Sequence, residues 1–129
     1  MQKKSQLYNL KHAFAALNFS LQGIKVAITT ETPFIQETLC LVALPLAARL
    51  AGIPWSMVLL VIAGWLLVMA VELLNTGIEN ICNLVSPDFH PLVKIAKDAG
   101  SAAVLLTILA NALFWFYLIY VYVIYPNSS

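Results

Sequence analysis

Ala99–Tyr125 reads AGSAAVLLTILANALFWFYLIYVYVIY and holds no charged residue. As a helix rising 1.5 Å per residue, this run is long enough to cross a hydrocarbon slab of about 30 Å. Its second half is aromatic (Phe114, Trp115, Phe116, Tyr117, Tyr120, Tyr122, Tyr125), as suits the belt where a span meets the headgroups. The stretch decides the fold class: it predicts a transmembrane helix at about 99–122.

Two further apolar blocks lie upstream. Ser56 to Val71 is uncharged, and a second span is predicted at about 55–79, with its helix running on to about Asn83. Ser86-Pro87-Asp88 ends it, because proline cannot continue a helix. Residues 88–98 are mixed, with His90, Lys94, Lys97 and Asp98. A first span is predicted at about 34–51, with Pro45 inside it, Arg49 near its far end and a tight Gly52-Ile53-Pro54 turn after it. Before it, Leu10, Phe14, Leu17, Leu21, Ile24 and Ile28 step by three and four along residues 7–29, with Lys11, His12, Asn18, Gln22 and Lys25 opposite. That pattern suits a helix lying in the membrane interface or packed on a partner subunit. The expected fold is therefore an all-α membrane protein: one amphipathic surface helix and three spans in a single domain, 1–129.

Composition agrees. The 129 residues are 61% hydrophobic and 10% charged, with mean hydropathy +0.86; soluble domains carry about a quarter charged residues. A net charge of +1 gives no strong attraction to nucleic acid. Cys40 and Cys82 show neither metal-ligand spacing nor a disulfide framework, and are expected to be free thiols. Lys3 and Lys4 imitate the start of a signal peptide, but Asn9, Lys11 and His12 interrupt the apolar run that such a peptide needs, so no cleavable signal peptide is expected. Lys3, Lys4, Lys11 and Lys25 precede the first span, and Lys94 and Lys97 lie between the second and third. The positive-inside rule then puts the N-terminus in the cytoplasm and the C-terminus outside.

All six acids, Glu31, Glu37, Glu72, Glu79, Asp88 and Asp98, fall on that cytoplasmic side or at its boundary. Acids beside apolar helices are costly and point to function. Glu72 is 17 residues from Trp55, about 26 Å along a helix, just inside the slab's cytoplasmic edge. A carboxylate there can meet a lipid hydroxyl and an aqueous nucleotide. Glu72, Asn75 and Glu79 share one helix face. Their oxygen donors suit a hard cation such as Mg²⁺, although a polar stripe facing a neighbouring helix would look alike. Lys97-Asp98 stands before the small residues Ala99–Ala103; it suits phosphate held at a helix start, or equally a helix cap beside a topology anchor. No GxxxxGK[ST] loop is present, and no Gly-rich kinase loop.

Val71–Glu79 (VELLNTGIE) and Ala96–Val104 (AKDAGSAAV) together resemble the signature of prokaryotic diacylglycerol kinases, VExLNxxIE…AKDxGSAAV. Glu31 and the Phe34-Ile35-Gln36-Glu37 run match the acidic start of that family's first span. The resemblance covers about residues 10 to 120. It implies a homotrimer with active sites between subunits, using ATP and Mg²⁺ on a membrane lipid in the bacterial inner membrane. By resemblance Glu72 is the general base, and Glu31 and Glu79 hold the metal. Asn75, Lys97 and Asp98 contact ATP or neighbouring groups, and Asp88, Phe89 and His90 lie near the nucleotide. Ser20, Gly23 and Ser101 lie towards the lipid. His12 stands where the family usually has arginine, Asn83 where it often has an acid, and Ile35 where it often has arginine. Undecaprenol kinases share much of the signature; the Phe-x-Gln-Glu run favours the diacylglycerol branch. A small oligomeric transporter is the rival from another class, but it would need an acid near mid-bilayer, where only uncharged Asn111 stands.

Overall fold

The computed structural model describes the backbone of residues 2–125 and the side chains of residues 11–125. Four α-helices come in order: α1 (Gln2–Thr30), α2 (Thr32–Leu50), α3 (Trp55–Val85) and α4 (Pro91–Ile119). A π-helical turn, Tyr120–Ile124, closes the described chain, which has no strand. The last three helices are each long and apolar enough to cross a membrane.

The chain divides into two units, Met1–Ile35 and Gln36–Ser129. In the first, α1 carries the predicted apolar stripe uncovered: Phe14, Leu17, Leu21, Ile24 and Ile28 are all exposed. Leu10 belongs to that stripe, but its side chain lies outside the described residues. α1 ends where Thr29 and Thr30 turn their hydroxyls back onto the carbonyls of Lys25 and Val26. Bonds of this kind compete with the helix ladder. Pro33, which has no N–H to lose, then fits the first turn of α2.

In the second unit, α2 hands over to α3 through a glycine stop. Gly52 has φ +81°, Ile53 N donates to Ala48 O at 3.0 Å, and Gly52 N donates to Arg49 O at 3.1 Å. This 6→1 and 5→2 pair is a Schellman motif, which needs a left-handed residue at the glycine position. Ile53 is buried there with Ala48, Val58, Val61 and Leu118, so the motif is clamped by the core. Arg49 donates to the Ile53 carbonyl and lies over the Trp55 ring, 4.8 Å from its centroid, which satisfies its charge at this end.

α3 has 31 residues, about 46 Å. Measured from Trp55, about three turns extend beyond a 30 Å slab. Its buried face, Val58, Val61, Val68, Met69, Glu72, Asn75 and Cys82, starts apolar and turns polar towards the C-terminal end. The adjoining helix begins earlier than the apolar run suggested, at Pro91 rather than near Ala99. His90 Nδ1 accepts from Leu92 N at 3.2 Å and caps it, Pro91 takes a position needing no N–H, and Lys94 pairs with Asp98 one turn on. Local capping and pairing thus extend the helix through a mixed segment that the uncharged run does not include. Lys97 and Asp98 consequently sit in the second turn of α4, not at its start. Both cysteines are free.

Candidate functional site

Two acids are buried where α2 faces α3. Glu72 and Glu37 are each 8% exposed, and Glu37 lies within Coulombic reach of Glu72. The Trp65 indole fixes this approach by donating from Nε1 to the Glu37 backbone carbonyl at 2.7 Å. Glu37 Oε2 is buried with no hydrogen-bond partner among the described residues. A buried carboxylate oxygen left in that state is costly, and such sites usually answer to a function. Glu37 is legible in the sequence as one of the six acids and as part of the Phe-x-Gln-Glu run; that it comes within Coulombic reach of Glu72 depends on how two helices pack.

One turn along α3, Asn75 is 7% exposed. Its Nδ2 donates to Glu79 Oε1 at 3.3 Å, so the amide and carboxylate of the predicted face are joined. Its Oδ1 has no partner among the described residues and lies against Gly100 of α4, where an added Cβ would overlap it. Glycine at 100 is what admits the Asn75 amide between the two helices.

Beyond this pair the α3–α4 connection forms an open pocket of about 380 Å³. Asp88, Phe89, His90, Lys97 and Asp98, all singled out in the sequence, line it together with Asn83 and Lys94. Lys97 Nζ donates to Asn83 Oδ1 at 2.6 Å, and Lys94 pairs with Asp98. The two lysines therefore differ. Lys94 is already offset by a carboxylate, whereas Lys97 leans on a neutral amide and keeps its charge available for an anion. Glu79 stands one turn before Asn83 on α3. Asn83 and Lys94 are additions to the predicted set.

Other predicted residues are not brought into this cluster. Ser101 is exposed on α4. His12, Ser20, Gly23 and Glu31 belong to the first unit. There His12 and Ser20 are exposed, Ser20 Oγ donates to Ala16 O at 3.0 Å, and the space beside Gly23 is open. Glu31 is half-buried at the α1–α2 link and accepts from Thr30 Oγ1 at 3.4 Å.

No group of three or more His, Cys, Asp or Glu suited to a metal occurs among the described residues. The donors present fit Mg²⁺ in another way. Mg²⁺ is typically held by one or two carboxylates and completed by water and substrate phosphates. Glu79, joined to an amide and one turn before Asn83 of the pocket, is a carboxylate suited to such a site.

The profile of the family described as prokaryotic diacylglycerol kinase matches residues 18–119. The chain belongs to that family. It is 36% identical over 107 residues to a diacylglycerol kinase of Haemophilus influenzae, covering 82% of this chain and 90% of the relative. It is 39% identical over 106 residues to one from Pseudomonas aeruginosa (82% and 86%), and 36% identical over 110 residues to one from a Sinorhizobium species (85% and 80%). The matched region of the kinase family takes in Glu31, Glu37, Glu72, Asn75, Glu79 and the whole pocket. His12 lies before it.

Proposed function

We propose that this chain transfers the γ-phosphate of ATP to the free hydroxyl of diacylglycerol, giving phosphatidic acid and ADP at the cytoplasmic surface of the bacterial inner membrane. The observation that carries the reading is the succession along α3 of Glu72, the Asn75–Glu79 pair and the Lys97 pocket. Along α3 a buried carboxylate at the end of an apolar run is followed one to two turns on by the Asn75–Glu79 pair, and about three turns on by Asn83, which lines a water-open pocket holding Lys94 and Lys97.

The ATP phosphates rest against Lys97, with Asp88, Phe89, His90 and Asp98 around the nucleotide. Diacylglycerol arrives sideways from the bilayer, its hydroxyl at the level of Glu72. Glu72 accepts the hydroxyl proton as the oxygen attacks the γ-phosphorus in line; the bond to the β-phosphate oxygen breaks and ADP leaves. Lys97 offsets charge on the transferred group. Asn75 holds the Glu79 carboxylate. Glu79 and Glu31 are the residues that would hold Mg²⁺, which when bound screens the phosphate charge. Ser20, Gly23 and Ser101 border the lipid, and His12 takes the place of a nucleotide-contacting arginine. In this reading the enzyme is a homotrimer that brings the surface helix of one copy to the spans of another, with its N-terminus in the cytoplasm and its C-terminus outside.

The test is phosphate transfer from Mg-ATP in mixed micelles, with diacylglycerol and undecaprenol as acceptors side by side. Preference for diacylglycerol is expected. Preference for undecaprenol would keep the site and change the substrate. No transfer to either by folded protein would reject the reading.

A further inference from the structure

The α3–α4 seam holds two contacts of one kind, in opposite senses. Near the middle of the spans, Asn111 of α4 packs against Gly64 of α3; towards the site, Asn75 of α3 packs against Gly100 of α4. A Cβ added at Gly64 would come 2.5 Å from Asn111 Oδ1, and one added at Gly100 would overlap Asn75 Oδ1. The two contacts are eleven residues apart on both helices, running in opposite directions. Eleven residues are about three turns, or about 16 Å. They therefore belong to one antiparallel register, and both are satisfied only in that register.

Asn111 is more than a space-filler. It is 8% exposed, and its Nδ2 donates both to Gly64 O at 3.2 Å and to Thr107 O at 3.0 Å. The bond to Gly64 crosses between helices through the gap left by a missing side chain. The surroundings are apolar (Leu60, Leu67, Ala110 and Phe114), so water does not compete for the amide. Sliding α4 by one turn in either direction would bring Leu60 or Val68 opposite Asn111 in place of Gly64, and Ala96 or Val104 opposite Asn75 in place of Gly100. A branched side chain blocks Asn111 in either case. The seam thus resists slippage at two points that rise and fall together.

We propose that the Asn111–Gly64 contact is a register lock that positions Asn75, and with it Glu79, for phosphoryl transfer about three turns away. This rests on the reading of Asn75 and Glu79 as part of the kinase site. Asn111 and Gly64 touch no substrate; they act through the helices.

The experiment uses full-length Asn111→Ala, Asn111→Leu, Gly64→Ala and the double variant Gly64→Ala/Asn111→Ala, reconstituted in bilayers and normalised to folded protein. Two quantities are read: kcat and KM for Mg-ATP and for lipid, and the solid-state NMR cross-peak between Asn75 Cγ and Gly100 Cα. For the Asn111 variants kcat should fall by about 10- to 100-fold, the range expected for a misplacement near 1 Å. The cross-peak should weaken and KM for lipid should hold. Gly64→Ala should behave alike, and the double variant should be no worse than either single change, since the overlap and the hydrogen bond are lost together. Lower thermal stability with cross-peak and kinetics unchanged would overturn the proposal, leaving Asn111 as packing alone. A lost cross-peak with normal kinetics would overturn the link from register to site. Wild-type protein with an intact cross-peak and no phosphate transfer would fail the kinase reading itself.

Discussion

Lys97 of α4 donates to the side-chain oxygen of Asn83 on α3 at 2.6 Å, and its charge meets no carboxylate in that contact. Its neighbour one turn earlier, Lys94, is paired with Asp98 on the same helix. Both lysines line the same pocket, so they offer a controlled comparison. Lys97→Met should raise KM for Mg-ATP by about tenfold, equivalent to about 1.4 kcal/mol. Lys94→Met should change it by less than about threefold, because an exposed ion pair of that kind is worth only about 0–1 kcal/mol. Steady-state kinetics with ATP varied at saturating lipid decide this. Equal effects of the two changes would show that the pocket responds to net charge and not to Lys97.

The Gly100 position makes a steric prediction. An added methyl group would occupy the space of the Asn75 amide oxygen, and Asn75 is the residue bonded to Glu79. Overpacking of this kind costs about 1–3 kcal/mol. Gly100→Ala should therefore lower kcat strongly in protein that still folds, and Gly77→Ala should leave it alone, since no described residue outside its own stretch of helix stands within 4 Å of the methyl group it adds. Turnover measured on monodisperse preparations of both variants checks the contrast.

The features legible in the sequence are those set by periods along single helices. Glu72, Asn75 and Glu79 share a face because three and seven residues bring a helix back on itself, and a side-chain bond joins the last two of them. The three apolar helices are legible from the apolar blocks in the same way, although the first of them carries Glu37 and Arg49. The start of α4 at Pro91 is not, because its first turns are held by a histidine cap and a lysine–aspartate pair rather than by an apolar stripe. Contacts between helices are invisible for a different reason. Trp65 with Glu37, Lys97 with Asn83 and Asn111 with Gly64 lie 28, 14 and 47 residues apart. Each depends on a register that no local pattern encodes. Asn111 stands out as a polar residue in an apolar run, but nothing in that run names its partner.

The glycine stop between α2 and α3 should govern stability without touching the chemistry. Gly52 alone among the described residues has positive φ, +81°. A β-carbon there costs about 1–2 kcal/mol in the left-handed region. Gly52→Ala should lower the thermal midpoint in detergent while kcat per folded molecule stays near wild type. Loss of turnover in step with Gly52→Ala, at temperatures where the protein remains folded, would tie the α2–α3 turn to the site and contradict this separation.

Glu72 carries the sharpest expectation. It is buried, it stands at the point where the buried face of α3 turns from apolar to polar, and a second acid faces it from α2. Replacing its carboxylate by an amide keeps size and shape and removes the proton acceptor. General-base catalysis typically contributes about 10²–10⁴-fold, so Glu72→Gln should lose at least a hundredfold in kcat while KM for Mg-ATP stays within a few-fold. Chelation should act on a different step. Excess EDTA should stop transfer by the wild type, and added Mg²⁺ should restore it, because Glu79 belongs to the metal reading and Glu72 to the proton. Glu79→Gln should then need more Mg²⁺ for half-maximal rate, and Glu72→Gln should show the wild-type Mg²⁺ requirement at a much lower ceiling. If the Mg²⁺ titration shifts in Glu72→Gln and not in Glu79→Gln, the two roles are exchanged.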